Sequence, residues 1–279
     1  MSFSIIIPLY NKEHSVEKTL RSVLDQTFED FEIIVVDDGS TDGSVARVEK
    51  IQDSRLRLIR QENSGVSGAR NHGIALAEKE WLIFLDADDT MHQDALWGFA
   101  NAISSHPDAQ MIIGNFLINS DGQSQPFSSS FPDGIVKNPY KSWFFRKVLP
   151  CTGAFTCRTS LLKDFRFNTD LSRYEDAELL FRIFREKPVI YSFDRTVMTY
   201  QRVFSSASKS YGNVKKDFIG HLDFKNTCSL WESVCLYELY AEGKEIYPNE
   251  MDVLYPGIKR NWGLRFFYGL VVRIKNFKK

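Results

Sequence analysis

Four short apolar runs, separated by segments with the three- to four-residue rhythm of amphipathic helices, constrain the fold of this chain more than any other feature. They are Phe3 to Leu9, Phe31 to Val36, Leu56 to Arg60 and Trp81 to Leu85. Each is rich in Ile, Val, Leu or Phe without strict alternation, as expected of strands covered on both faces. Between them, Val16, Leu20, Val23 and Leu24 keep helical spacing, and Val66 to Ala77 reads as a second helix with Ile74 and Leu76 in its later half. A helix around Gln93 to Ser104 leads into another apolar strand, Met111 to Ile118. Such alternation predicts an α/β fold: a Rossmann-like, mostly parallel sheet flanked by helices.

The Ser- and Gln-rich stretch Ser120 to Ser130 reads as a loop dividing two halves of one domain, 1–119 and 120–212. The second half is less regular, with a helix at Tyr140 to Lys147, a strand near Gly153 to Cys157 and a helix from Tyr174 to Arg185. Beyond Asn213 the pattern is largely helical, so 213–279 reads as a C-terminal extension. With 279 residues, 43% hydrophobic and 25% charged, the chain can bury a sizeable core, which excludes disorder, collagen-like repeats and a coiled coil. A formal charge of -1 argues against nucleic acid as a partner. The four cysteines have neither CxxC spacing nor paired His ligands, which points to reduced thiols in the cytoplasm. No signal peptide is legible, and no apolar run nears the roughly 20 residues that span a bilayer.

Polar residues cluster where the four runs end. The clusters are Pro8-Leu9-Tyr10-Asn11-Lys12-Glu13, Asp37-Asp38-Gly39-Ser40-Thr41-Asp42, Glu62-Asn63-Ser64-Gly65 and Asp86-Ala87-Asp88-Asp89. Any one of them serves equally well as a turn or helix cap. Four at the carboxyl edge of one parallel sheet predict a shared ligand site. Asp86 and Asp88, two apart on extended backbone, point to the same side and suit a hard divalent ion. In Asn63-Ser64-Gly65-Val66-Ser67-Gly68-Ala69-Arg70 the glycines permit close approach to a ligand, and Arg70 lies one turn into the following helix. The first loop lacks the GxGxxG dinucleotide fingerprint. Tyr174-Glu175-Asp176-Ala177-Glu178 reads equally as an acidic helix start and as the source of a general base.

Taken together, SIIIPLYN, FEIIVVDDGSTDGS, ENSGVSGARNHGI, WLIFLDADD and RYEDAELLFRI closely resemble the family 2 glycosyltransferases of the GT-A fold, which use nucleotide sugars. That resemblance implies Tyr10 against a uracil ring, Asp38 on its ring N–H, Pro8 shaping the pocket and Arg70 meeting the base or diphosphate. It implies Asp86 near the ribose and Asp88 on a Mg or Mn ion, with Asp89, Glu13 and Asn63 as supporting candidates. Asp176 stands at the family's catalytic base, with Glu175 beside it. The implied reaction is an inverting transfer of one sugar, from a UDP-linked hexose or N-acetylhexosamine to a hydroxyl of a glycan acceptor, lipid-linked, in bacterial surface polysaccharide synthesis. Many relatives carry a His in the loop after the second-half strand. Here that stretch is Tyr200 to Ser208 without His, leaving Arg202 and Ser206 as candidate phosphate contacts. The QxxRW motif of processive synthases is missing, which favours single additions over polymerisation.

From Gly257 onward the chain carries seven basic residues and no acid. On a helix from Asn261 to Phe277, Phe266, Phe277, Leu270, Ile274, Phe267, Val271 and Leu264 form one apolar arc. That arc suits an anionic membrane surface, or packing on the catalytic domain. The expected location is the cytoplasm, or the inner face of the cell membrane as a peripheral protein. Two rival readings remain. Asp86-Ala87-Asp88-Asp89-Thr90 also matches the DxDxT nucleophile motif of haloacid-dehalogenase-type phosphatases, and the same pocket also suits a nucleotide-sugar-binding protein without catalysis.

Overall fold

The computed structural model describes residues 1–129, 131–202, 213–258 and 262–277. The first half runs β1 (Phe3–Leu9), α1 (Val16–Leu24), β2 (Phe31–Asp37), α2 (Ser44–Glu49), β3 (Leu56–Arg60), α3 (Gly65–Leu76), β4 (Trp81–Phe84), β5 (Thr90–Met91), α4 (Ala95–Ser105) and β6 (Met111–Ser120). There follow β7 (Gln123–Pro126), β8 (Gly134–Ile135), α5 (Pro139–Phe144), β9 (Phe155–Arg158), α6 (Leu161–Asp164), α7 (Glu175–Arg185) and β10 (Ile190–Arg202). Two 3₁₀ turns, Val214–Lys216 and Phe218–His221, precede α8 (Leu230–Ile246), α9 (Pro248–Leu254) and α10 (Trp262–Phe277).

The strands form one mixed sheet in the order β3-β2-β1-β4-β9-β6-β10-β5, with β7 on β6 and β8 on β10. Strands β3, β2, β1 and β4 are mutually parallel, so their carboxyl ends share one edge. Strand β9 runs antiparallel to both neighbours, joining β4 to β6. Adjacent β1 residues serve different cores. Ile5 and Ile7 pack with Leu20, Val23 and Phe99 on one face, and Ile6 packs with Ile74, Phe84 and Phe144 on the other. This explains why the runs are continuously apolar.

Local chemistry fixes the flanking helices. Helix α1 buries Val16, Thr19, Leu20 and Val23 and carries a Glu17–Arg21 pair on its exposed side. Helix α3 lies so close to the sheet that a Cβ on Gly73 would stand 2.3 Å from Cγ2 of Ile6, so glycine permits the contact.

Some expectations change. Within Ser120 to Ser130, read as loop, β6 continues to Ser120, Asp121 and Gly122 turn with positive φ, and β7 returns beside it. An Asp-Gly pair of this kind closes a two-residue hairpin. Tyr200, Gln201 and Arg202, placed in a loop, belong to β10. The apolar arc of the tail is also divided. Leu264, Phe267 and Val271 face the core, while Phe266 is 75% and Leu270 48% exposed. Lys275, one of the seven basic residues of the tail, bonds Glu238 at 2.7 Å and lies over the Phe144 ring. Lys259, Arg260, Lys278 and Lys279 lie outside the described residues.

Candidate active site

The ends of β1, β2 and β4 and the first turns of α3 and α7 meet around one cavity of about 1050 Å³. Pro8, Tyr10, Asp38, Asn63, Arg70, Asp86, Asp88 and Glu175 all line it. Pro8 can stand inside a central strand because β4 pairs only as far as Ile6 and requires no N–H from position 8. Beyond it, Asn11 adopts a left-handed backbone, donates its N–H to Ser40 Oγ and accepts from Thr41 N, tying the first loop to the second.

Asp38 is buried and orders the loop opening α3. Its Oδ1 accepts from Gln61 Nε2 at 2.7 Å, Ser64 N at 2.8 Å and Ser64 Oγ at 3.3 Å, whereas Oδ2 accepts from Gly65 N at 2.9 Å. Backbone N–H groups at a helix start favour an anion. The uneven sharing leaves Oδ2 the freer acceptor. Gln61 is oriented in turn by His72, whose Nδ1 lies 2.7 Å from its Oε1.

Opposite Asp38 lies an alternating set of charges. Arg70 is 3% exposed and donates from Nη2 to Asp86 at 2.7 Å and from Nη1 to Glu175 at 2.9 Å, with its guanidinium over the Phe167 ring. Burial alone would weaken its charge, but Asp86, Glu175 and Asp176 outweigh that and hold it firmly protonated. Thr152 Oγ1 donates to the other oxygen of Asp86 at 3.2 Å. Asp88 pairs with the Lys12 ammonium. Asp89 is turned inward, its Oδ1 accepting from Gln201 N at 2.8 Å and its Oδ2 buried without a hydrogen-bond partner. Burial, then the negative charges of Asp86 and Asp88, push its carboxyl well above the usual range despite that bond. Asp176 is pushed up to about 6 by burial and by Glu175, with Arg70 opposing.

The cavity therefore gathers eight of the expected residues, but four others lie off its walls. Asp89 supports β10. Glu13 accepts from Gly43 N at 2.8 Å and so braces the start of α2. Arg202 lies at the exposed end of β10. At the start of α7 it is Glu175, one residue before Asp176, that reaches the cavity. Ser206 lies outside the described residues. Sequence reasoning passed over Lys12, although it follows the quoted first-loop motif directly. It also passed over the far wall, formed by Asp170, Ser172, Tyr200, Gln201, Lys215 and Lys216.

Among the described residues, no group of three or more His, Cys, Asp or Glu stands ready to hold a metal. Asp88 and Asp86 nevertheless share one wall, and carboxylate oxygens are what Mg or Mn prefers, with phosphate oxygens and waters completing such a shell. The excess negative field that pushes Asp89 upward is the kind a divalent ion relieves.

Comparison with known proteins identifies the family and the fold. The family described as glycosyl transferase family 2 matches residues 4–166. A GalNAc(5)-diNAcBac-PP-undecaprenol beta-1,3-glucosyltransferase of Campylobacter jejuni is 28% identical over 263 residues, covering 84% of this chain and 81% of its own. The poly(ribitol-phosphate) beta-N-acetylglucosaminyltransferase TarS of Staphylococcus aureus is 26% identical and covers 99% of this chain, which spans 47% of that protein. The crystal structure of S. aureus TarS 1-349 in complex with UDP-GlcNAc superimposes with a TM-score of 0.74 at 23% identity, over 91% of this chain and 76% of that one, a likeness of fold. A GT-A sheet with the acidic cluster at its carboxyl edge, and a family match over more than half of the 279 residues, lead to one conclusion: the chain belongs to glycosyl transferase family 2 and is a glycosyltransferase.

Proposed function

We propose that the enzyme moves one sugar from a UDP-linked hexose or N-acetylhexosamine to a hydroxyl of a glycan acceptor, lipid-linked, in bacterial surface polysaccharide synthesis, with inversion at the anomeric carbon. The observation that carries this reading is the single cavity shared by Asp38, Arg70, Asp86 and Asp88, which arise from separate segments. Its volume, about 1050 Å³, stands at the top of the range of small-molecule sites, roughly 300–1,000 Å³. The glucosyl and N-acetylglucosaminyl transfers in the names of the relatives support the donor class, and the undecaprenol-linked acceptor of the Campylobacter protein supports the acceptor class.

In this mechanism Tyr10 and Pro8 border the uracil, and the freer oxygen of Asp38 accepts its ring N–H. Arg70 and Lys12 face the diphosphate, and Asp86 lies on the ribose side. A Mg or Mn ion held by Asp88 would supply Lewis-acid stabilisation of the charge on departing UDP. Asp176 removes the proton from the acceptor hydroxyl as that oxygen bonds to the anomeric carbon, a role that requires the start of α7 to turn Asp176 from its buried position onto the cavity wall where Glu175 now stands. The bond to UDP breaks with its electron pair leaving on the phosphate oxygen. Glu175 is already neutralised by Arg70, so Asp176, pushed up to about 6, is the better base of the two.

The phosphatase reading is disfavoured because Asp86, its nucleophile, is held by Arg70 and Thr152 and follows the fourth strand of the sheet. No helix among the described residues is long and apolar enough to cross a membrane. The outward face of α10, with Phe266 and Leu270 between Arg265 and Arg273, supports peripheral contact with an anionic bilayer from the cytoplasmic side. A thermal-shift panel of nucleotide sugars with and without Mn, followed by donor-hydrolysis assays, tests the reading. UDP sugars stabilise the protein and are slowly hydrolysed if it holds. Stabilisation without any turnover favours the non-catalytic binder, and no stabilisation by any nucleotide sugar overturns both.

A further inference from the structure

The two basic side chains that meet the acids of β4 are built differently. Arg70 is buried, clamped by two carboxylates and stacked on Phe167, so it is a fixed part of the wall. Lys12 holds only Asp88, with 36% of its side chain exposed, on a flexible stem. Its backbone is nevertheless anchored, since Lys12 N donates to Ser44 Oγ at 2.7 Å. The ammonium can therefore leave Asp88 without moving the loop.

We propose that Lys12 is the stand-in cation of the donor-free site: it neutralises Asp88 until a divalent ion displaces it, and then turns its charge toward the diphosphate in the same cavity. This rests on the proposed reading of the pocket as a diphosphate and divalent-ion site. The physical reason is economy of charge. Asp86, Asp88 and Glu175 crowd one wall, and Asp88 is the one without an arginine. A monovalent partner keeps that wall folded while competing only weakly with a divalent one, because half-exposed ion pairs are worth little. Lys12 acts as a positioning residue, exchanging one anion for another as the ligand arrives.

The two halves of the exchange predict effects of opposite sign, which a merely structural role does not. Mn²⁺ binding to the nucleotide-free protein is read by electron paramagnetic resonance of the free ion, and UDP binding at saturating Mn²⁺ by calorimetry. Lys12→Gln tightens Mn²⁺ about two- to fivefold, as removal of a partly exposed competitor should, and weakens UDP by a similar factor. Lys12→Arg, which keeps the charge, stays near wild type in both. Asp88→Asn abolishes Mn²⁺ binding and so leaves the free-ion signal at full intensity. Wild-type binding of both ligands with Mn²⁺ affinity unchanged or weakened in Lys12→Gln overturns the exchange and leaves the reading of the site intact. So does unchanged UDP affinity in that variant. Wild-type protein that binds neither Mn²⁺ nor UDP overturns that reading itself, and the exchange with it.

Discussion

Replacing Arg70 by methionine removes the one cation shared by Asp86 and Glu175, at 2.7 and 2.9 Å, and keeps most of the apolar volume over Phe167. Removing one partner of a buried ion pair costs about 3–5 kcal/mol. Here the lower end applies, because the Asp86 side chain is 30% exposed and is also bonded to Thr152. The expected loss is therefore about 3 kcal/mol, or roughly 6–12 °C in melting temperature for a chain of this size. Urea denaturation of wild type, Arg70→Met and the double variant Arg70→Met/Glu175→Gln measures it. The double variant should regain part of the loss, because it removes one of the stranded charges. A loss below about 1 kcal/mol with no recovery in the double variant would refute the idea that Arg70 holds this wall together.

The remaining expectations concern catalysis, packing and the tail. Asp176 must be ionised to act as a base, so kcat/KM should fall as pH drops through about 6, and Asp176→Asn should bind UDP normally while losing on the order of 10²–10⁴ in turnover. A flat profile between pH 5 and 7, or turnover unchanged in the variant, removes Asp176 from the mechanism. Gly73→Ala should destabilise the protein by about 1–3 kcal/mol in urea, since the added methyl meets Ile6 at 2.3 Å, and unchanged stability would contradict that close approach. Phe266→Ser combined with Leu270→Ser should reduce sedimentation with anionic vesicles; equal partitioning rules out this face as the membrane contact.

How legible the molecule was depends on whether a feature is local. The strand β1 and the helix α1 were readable because burial on both faces, or on one helical stripe, writes a pattern into adjacent residues. The polar strand ends were readable for a related reason: once the sheet is parallel, its carboxyl edge is shared. Strand β7 was not readable, because Gln123-Ser124-Gln125-Pro126 is an exposed edge strand with no apolar alternation, and only the Asp121-Gly122 turn hinted at it. Whether Glu175 or Asp176 faces the cavity depends on about 100° of helix rotation, set here by the left-handed Tyr174 before α7, and acidic helix starts look alike in sequence. The Lys12–Asp88 pair joins positions 76 residues apart, and nothing local marks it. The tail was left open between two settings. Which part of its apolar arc meets the core depends on the partner helix α8, through contacts such as Phe267 with Trp231 and Tyr268 with Tyr237.

The cavity as the seat of a nucleoside diphosphate and its cation is open to direct observation. Diffraction from crystals soaked with UDP and Mn²⁺, recorded at the manganese absorption edge, addresses this directly. The expected map has an anomalous peak at roughly 2.0–2.2 Å from a carboxylate oxygen of Asp88, the diphosphate beside Arg70 and the uracil between Tyr10 and Asp38. UDP seated on another surface, or a manganese peak away from Asp88 with the cavity filled only by solvent, would contradict the account.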